Sequence, residues 1–204
     1  MSVPDRSIDP RLLASAQEEF QRVGFLKAEL KTICKNAGIT TGALYKRYKG
    51  KEELFCAVVK DTTDALDRFI DSRSNVDFSN MSDEELINSW KMDEKHTLEL
   101  FKTLWEFRDG FTLLIDKAAG TRYENYQHDF SFRMTKAYLQ FYKAAKDRGL
   151  VKGEISKEEM HILCSSFWTA VYEPFIHGMS WNDIETHCKV ICRFFDWTDA
   201  IEIN

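Results

Sequence analysis

The sequence predicts an all-α protein of about nine helices. Apolar residues recur every three to four positions along most of the chain, which is the spacing of one buried helix face. No stretch alternates apolar and polar residues as a half-buried strand does. Only three prolines and nine glycines interrupt the 204 residues. Long helices separated by short breaks are therefore expected.

The first predicted helix covers residues 10–23, and Gly24 ends it. After it, residues 30–48 predict two short helices joined by a tight turn. Gly38 supplies the left-handed backbone that ends one helix, and Thr40 or Thr41 caps the next. This is the layout of a helix-turn-helix, in which the second helix reads the major groove of DNA. Six residues are expected to face outward from the second helix: Thr41, Gly42, Ala43, Tyr45, Lys46 and Arg47.

Six further helices are predicted beyond the helix-turn-helix. Two of them begin at capping boxes, in which a serine is followed three residues later by a glutamate. Breaks are expected at a polar loop over residues 75–81, at Asp109-Gly110 and at Gly120, and Pro174 is expected to kink a helix near its end. The predicted ranges are 51–72, 82–105, 111–117, 121–148, 156–177 and 182–197.

Charge is distributed unevenly along the chain. The net charge is −5. Residues 1–50 contain nine basic and five acidic side chains, a net charge of +4, so the remaining residues carry −9. A basic segment that coincides with a helix-turn-helix indicates contact with phosphates.

The N-terminal pattern resembles the DNA-binding domain of TetR-type (tetracycline-repressor-like) regulators over residues 10–59. The resemblance rests on these residues: Gly24-Phe25, Ile33, Ala37-Gly38-Ile39, Gly42, Leu44-Tyr45, Tyr48, Lys51-Glu52 and Leu54. It implies a helix-turn-helix DNA-binding domain over residues 1–50 and a ligand-binding and dimerisation domain over residues 51–204. The function implied is a transcriptional regulator that binds a palindromic double-stranded operator.

The resemblance also implies roles for individual residues in DNA binding. Thr41, Gly42, Ala43 and Lys46 would approach base edges, and Gly42 lets the helix come close because it has no side chain. Phosphates would be bound by Thr40, Tyr45 and Lys51. Lys27 or Ala28, expected at the start of the preceding helix, would add backbone contacts.

The last two predicted helices are apolar on more than one face, so each must be buried on more than one side. A single packed core explains this, and so does a core combined with a dimer interface. TetR-type proteins form a four-helix interface from their last two helices, which favours a homodimer. The residues predicted in that interface are Phe167, Val171, Phe175, Ile184, Cys188, Ile191 and Phe195.

The middle of the chain is rich in aromatic residues. Such a stripe is more often core than pocket, but Trp and Tyr also suit a site for an apolar or aromatic ligand. The resemblance implies an effector cavity here, with repression released when a small molecule binds. The predicted lining residues are Phe101, Trp105, Tyr126, Phe130, Trp168 and Tyr172.

No catalytic or cofactor motif is found, so an enzyme is the less favoured hypothesis and no cofactor is expected. Another alternative is a regulator of the same fold that responds to a protein partner or to no ligand. The five cysteines are expected to be reduced and structural, although Cys188 and Cys192 are four residues apart and could share a metal or redox site. No metal site is predicted. The N-terminal residues lack a secretory signal and no segment predicts a membrane span, so a cytoplasmic protein is expected.

Overall fold

The computed structural model describes residues 8–203 of the chain. Residues 1–7, on which the expectation of no secretory signal partly rests, lie outside the described residues. No strand is present in the described part, which contains one isolated antiparallel bridge between Val151 and Ile203. A 3-10 helix occupies Phe78–Asn80. The α-helices are α1 (Ile8–Lys27), α2 (Leu30–Ala37), α3 (Thr41–Tyr45), α4 (Lys51–Ser74), α5 (Asp83–Asn88), α6 (Glu94–Glu106), α7 (Arg108–Asp116), α8 (Tyr126–Asp147), α9 (Lys157–Ile176), α10 (Trp181–Phe194) and α11 (Trp197–Ala200). The all-α prediction is confirmed.

The described residues fall into two compact units. The first consists of residues 8–65 with residues 107–126, and the second of residues 66–106 with residues 127–203. The predicted functional division at residue 50 remains a prediction.

An aromatic cluster forms the core of the first unit. Phe20, Phe25 and Phe55 pack with ring centroids 5.1–6.0 Å apart. The Ser15 hydroxyl donates a hydrogen bond to the Ile33 carbonyl at 2.9 Å, which ties α1 to α2. These contacts hold the helix-turn-helix on a rigid base.

Gly24 ends the first straight helical segment, as the sequence predicts. It lies inside α1 with φ 74° and ψ 165°, a conformation that breaks the helix and that glycine adopts without strain. The chain then turns so that the Phe25 N–H donates to the carbonyl of Lys117 at 3.0 Å. The backbone after α7 is thereby joined to the end of α1.

Gly110 does not break a helix, and here the prediction is wrong. It lies within α7, and the preceding break is at Phe107. A Cβ atom at Gly110 would lie 2.2 Å from Thr62 Oγ1, so glycine is required there by the close approach of α4. The glycine marks helix packing rather than a helix end.

Several predicted helices are shorter or divided. The helix predicted over residues 82–105 is two helices, because Asp93 accepts a hydrogen bond from the His96 N–H at 2.9 Å and so begins α6. The helix predicted from residue 121 begins at Tyr126. The last predicted helix is likewise divided, and Asp196 caps the short α11. Both predicted capping boxes, at Ser82 and Ser156, are present.

Aromatic side chains fill the second unit. Phe130 of α8 packs on Trp168 of α9 with ring centroids 4.2 Å apart. Trp197 of α11 stacks on Tyr138 at 5.5 Å. Pro174 lies inside α9 near its C-terminal end. Rings on α8, α9 and α11 therefore contribute to the core of this unit.

Candidate nucleic-acid interface

The turn between α2 and α3 has the geometry that a helix-turn-helix requires. Gly38 ends α2 in the left-handed region, with φ 68°. Two residues later, the Thr40 side chain accepts a hydrogen bond from the Ala43 N–H at 3.2 Å and caps α3. Leu44 is fully buried and anchors α3 to the unit. The orientation of α3 is fixed by its two ends and by one core residue.

The opposite face of α3 is open to solvent. Of the residues predicted to contact DNA there, Ala43 is half-buried and the others are exposed, Tyr45 to 58%. The exposed residues are Thr40, Thr41, Gly42, Tyr45 and Lys46. These five residues therefore form one accessible surface, which we call the α3 face.

Gly42 has no structural reason to be glycine within this chain. The nearest atom to a Cβ placed there is Thr40 Oγ1, at 3.8 Å, an ordinary van der Waals contact. The backbone is helical, so alanine would fit without strain. Open space at this position leaves room for another molecule to approach the backbone.

Arg47 is held by the protein rather than facing outward, which corrects the sequence-based expectation. Its Nε–H donates to an Asp9 carboxylate oxygen at 2.5 Å, and its Nη1 donates to the Ala43 carbonyl at 3.0 Å. The side chain is only 14% exposed. Arg47 thus fixes the end of α3 to α1.

Lys51 is also bound within the first unit. Its ammonium group donates to the carbonyl oxygens of Leu26 and Ala28, at 3.1 and 3.0 Å. It also lies 4.6 Å from the centroid of the Phe25 ring. A positive charge at these carbonyls stabilises the end of α1. The sequence predicts that Lys51 contacts a phosphate. Such a contact would use the same ammonium group that already donates to these two carbonyls.

Lys27 and Ala28 do not begin a helix. Lys27 is the last residue of α1, and α2 begins at Leu30 after Glu29. The Ala28 N–H already donates to the Gly24 carbonyl at 3.1 Å, and its side chain is buried. Lys27 is exposed, so its side chain, unlike that of Ala28, is accessible to another molecule.

The predicted effector residues are divided between the two units. Phe101 and Trp105 pack on Phe175, at ring-centroid distances of 6.2 and 6.3 Å. Phe130 packs on Trp168, and Trp168 also contacts Tyr172. Tyr126 is buried in the first unit. A narrow gap in the second unit, too small for a water molecule, is lined by Arg73, Ser89, Trp90, Ala137, Tyr138 and Phe141.

The residues predicted in the dimer interface are core residues of the single chain. Phe195 is half-buried, and the others have at most 6% of their surface exposed: Phe167, Val171, Phe175, Ile184, Cys188 and Ile191. Such side chains have almost no surface left for a second protomer. The large apolar side chains that α9 and α10 do expose are Ile162 at 61%, Val190 at 58% and Phe194 at 78%. They are called the α9/α10 apolar surface below.

Cys188 on α10 has the features of a buried structural cysteine, whereas Cys192 is half-buried. Burial raises the pKa of Cys188 to about 12, and its thiol donates to the Glu94 carbonyl at 3.6 Å. The thiolate, which is the form that binds metals and reacts with oxidants, is therefore disfavoured. Across residues 8–203, no group of three or more His, Cys, Asp or Glu side chains is arranged to hold a metal ion.

No helix among the described residues is both long enough and apolar enough to cross a membrane.

Comparison with known proteins relates the N-terminal region to bacterial regulatory proteins. Residues 12–58 match the sequence model of the family described as bacterial regulatory proteins, tetR family. The chain is 34% identical over 79 residues to the HTH-type transcriptional regulator UidR of Escherichia coli strain K12. The match covers 38% of this chain and spans only 40% of the length of that relative.

Solved structures resemble the whole chain in fold. A TetR-like transcriptional regulator from Rhodococcus sp. RHA1 has a TM-score of 0.61 at 13% identity, covering 98% of both chains. A member of the TetR transcriptional regulator family from Streptomyces coelicolor A3 has a TM-score of 0.58 at 18% identity. It covers 95% of this chain and 90% of that one. At these low identities, it is the TM-scores that show a shared fold.

Proposed function

We propose that the chain, whose residues 12–58 match the tetR family of bacterial regulatory proteins, is a DNA-binding transcriptional regulator. The observation that carries the proposal is the α3 face: a capped, anchored helix with an exposed row of small, aromatic and basic residues. A reading helix needs this arrangement to enter the major groove. The matched relatives are described as regulators rather than as enzymes, which supports a non-catalytic function.

In this proposal, Thr41, Gly42 and Lys46 of the α3 face approach base edges, together with the half-buried Ala43. Tyr45 and Thr40 bind phosphates, with Lys27 beside them at the end of α1 and Lys51 in part. Phosphate contacts fix the register on the duplex, and base contacts select the sequence.

We place dimerisation on the α9/α10 apolar surface. Three large apolar side chains exposed on two helices, with Phe194 at 78%, would be shielded from water if the same surface of a second copy packed on them. A homodimer would then present two α3 helices to the half-sites of a palindromic operator about 34–36 Å apart.

We further propose that a small apolar or aromatic effector binds the second unit and releases the protein from its operator as a repressor. Helix α4 begins in the first unit and ends in the second, so it is the continuous element through which an effector can alter the reading helices. The effector shifts the equilibrium only if it binds the DNA-incompetent state more tightly.

The regulator proposal is tested with the purified protein and DNA fragments from around its own gene. DNase protection should reveal a palindromic site, and Tyr45→Ala should weaken binding to that site. Phe132→Glu, a change of another exposed aromatic residue on α8, serves as the control and should leave binding unchanged. Protection of no site above the level of competitor DNA would overturn the proposal.

A further inference from the structure

Two histidines on neighbouring helices of the second unit are in ring contact. His128 lies in the first turn of α8, and His161 lies near the start of α9. Their ring centroids are 5.6 Å apart and their planes are inclined by 78°. His128 is exposed and His161 is half-buried. The pair therefore joins two helices at a position that solvent can reach.

A hydrogen-bond network fixes the tautomer of His161. The Thr135 hydroxyl donates its only proton to the Ser131 carbonyl at 2.8 Å. The same hydroxyl lies 3.1 Å from His161 Nδ1, and it can only accept there, so Nδ1 carries a proton. The Cys164 thiol also contacts Thr135 but does not take the hydroxyl proton, because burial raises the pKa of this thiol to about 12. In the neutral imidazole, Nε2 therefore keeps a free lone pair, which is what a metal ion binds.

The His161 ring lies between two residues of one face of α8. His128 and Thr135 are seven residues apart, which places them on the same face and roughly 10 Å apart along the helix. His161 contacts both, so the side of its ring with Nδ1 faces Thr135 and the remainder is directed toward His128. The exposed His128 ring makes no hydrogen bond with another described residue, so it can turn without breaking one.

The separation of the two rings matches that of two imidazoles on one ion. A bond between Zn²⁺ and an imidazole nitrogen is about 2.0–2.1 Å long. Two rings that share one ion at a tetrahedral angle therefore have centroids roughly 5–6 Å apart. A histidine that binds a metal also usually donates its other ring N–H to a fixed acceptor. Thr135 supplies that acceptor for His161.

We propose that His128 and His161 bind a divalent transition-metal ion of the class that prefers imidazole, such as Zn²⁺ or Ni²⁺. His161 Nε2 and one ring nitrogen of His128 are the protein ligands, and Thr135 is a positioning residue. No third His, Cys, Asp or Glu side chain of residues 8–203 is placed to join them, so water completes the coordination. The ion links α8 to α9 and stabilises the second unit, whether or not the protein binds DNA.

Calorimetric titration of the full chain, kept reduced, tests the site with Zn²⁺ and Ni²⁺ as probes. Both ions should bind and should raise the melting temperature, because an ion that binds only the folded state stabilises it. Mg²⁺ is the control of equal charge and should do neither, since it prefers oxygen ligands. Failure of both Zn²⁺ and Ni²⁺ to bind would overturn the proposal.

Variants show whether the ion is held by this pair. His128→Ala removes an exposed ligand and should lower Zn²⁺ affinity about tenfold or more, with loss of the metal-induced rise in melting temperature. Thr135→Val keeps the shape but removes the acceptor for Nδ1–H, so it should also lower the affinity about tenfold or more. His177→Ala, at an exposed histidine just after α9, should have no effect. Melting curves without metal confirm that each variant is folded, and native Zn²⁺ affinity in His128→Ala would overturn the assignment.

Cys192→Ser distinguishes this site from binding by thiols. Cys192 is half-buried on α10, and its thiol is the accessible member of the pair with Cys188. The variant should bind Zn²⁺ with native affinity if the histidines hold the ion. Loss of Zn²⁺ binding in Cys192→Ser, with native binding in His128→Ala, would place the ion at the cysteines and show that the histidine site is wrong.

Discussion

Gly38 and Gly42 lie four residues apart and are glycine for different reasons. Gly38 has φ 68° at the end of α2, a backbone conformation that costs other residues about 1–2 kcal/mol. Gly42 has a helical backbone and open space around the missing side chain. The fold requires the first glycine, and only an external partner would require the second.

Gly42→Ala should therefore separate folding from DNA binding. Alanine favours a helix over glycine by about 0.5–1 kcal/mol, so the melting temperature should stay the same or rise. Operator affinity should fall about tenfold or more, which is the effect of one mismatched base pair in a specific site. Melting curves and gel-shift titrations measure the two effects. Gly38→Ala is the comparison and should lower the melting temperature. Native operator affinity in Gly42→Ala would remove Gly42 from the interface.

Lys46 and Lys51 carry the same charge in different settings. Lys46, the residue after α3, is exposed, and its ammonium group has no partner among the described residues. The Lys51 ammonium group, in contrast, donates to two backbone carbonyls at the end of α1. Lys51 therefore stabilises the unit that positions α3. If Lys51→Ala weakened DNA binding, the loss would combine a missing phosphate contact with a less stable first unit.

Comparison of Lys46→Ala with Lys51→Ala resolves these causes. Lys51→Ala should lower the free energy of unfolding by about 1–2 kcal/mol, because it removes two hydrogen bonds from a charged donor at a partly exposed site. Lys46→Ala should leave unfolding unchanged and weaken operator binding. Chemical denaturation and gel shifts at matched salt measure both quantities. Equal stability of the two variants would show that the Lys51 hydrogen bonds contribute nothing.

At the scale of single elements, local capping chemistry predicted where α5 and α9 begin. The boxes at Ser82 and Ser156 were predicted because serine and glutamate reach each other's backbone within one turn. The break before α6 was missed, although Asp93 could have signalled a cap. Gly110 was misread because the residue it packs against, Thr62, is distant in sequence.

Helices α9 and α10 show the limit of periodicity. The pattern identified apolar stripes correctly but could not assign each stripe to the core or to a partner. Phe167, Val171 and Ile191 are buried in the core, while Val190 and Phe194 remain exposed. Only the packed structure distinguishes these sets, because both recur at helical spacing.

The α9/α10 apolar surface gives a prediction for assembly. Val190→Glu combined with Phe194→Glu should convert the protein to a monomer, because the charges cannot be buried without partners. Sedimentation velocity measures the change. Ile191→Val, a core change that costs about 0.5–1.5 kcal/mol, should leave the assembly unchanged. A dimer that survives both glutamates would place the interface elsewhere.

At the scale of the whole molecule, the sequence predicted the fold class, the helix-turn-helix and the exposed α3 face, since these depend on spacing over a few residues. It did not predict what distant residues do together. Asp9 binds Arg47, Lys51 binds the end of α1, and the narrow gap beside Trp90 combines three separate segments. These contacts come from tertiary packing and leave no local pattern.

The division of charge along the chain leads to a prediction about the salt dependence of DNA binding. Residues 1–50 carry +4 and the remainder −9, so the chain has a basic segment despite its net charge of −5. Binding to phosphates releases counterions, and log K falls with log salt by about 0.9 for each phosphate neutralised. If each protomer of a dimer contacts two phosphates, the slope should be about −3.6 or steeper.

Operator affinity measured from 50 to 200 mM salt, roughly the range over which counterion release is pronounced, determines this slope. Lys27→Ala should make it shallower by about 1 for each phosphate that the variant no longer binds. Glu99→Gln, which neutralises an exposed carboxylate of the acidic remainder, should leave the slope unchanged because this side chain binds no phosphate. The same slope in the native protein and Lys27→Ala would show that Lys27 does not bind phosphate. A slope near zero in the native protein would mean that the basic segment does not face the DNA backbone, and that the exposed α3 face serves another partner.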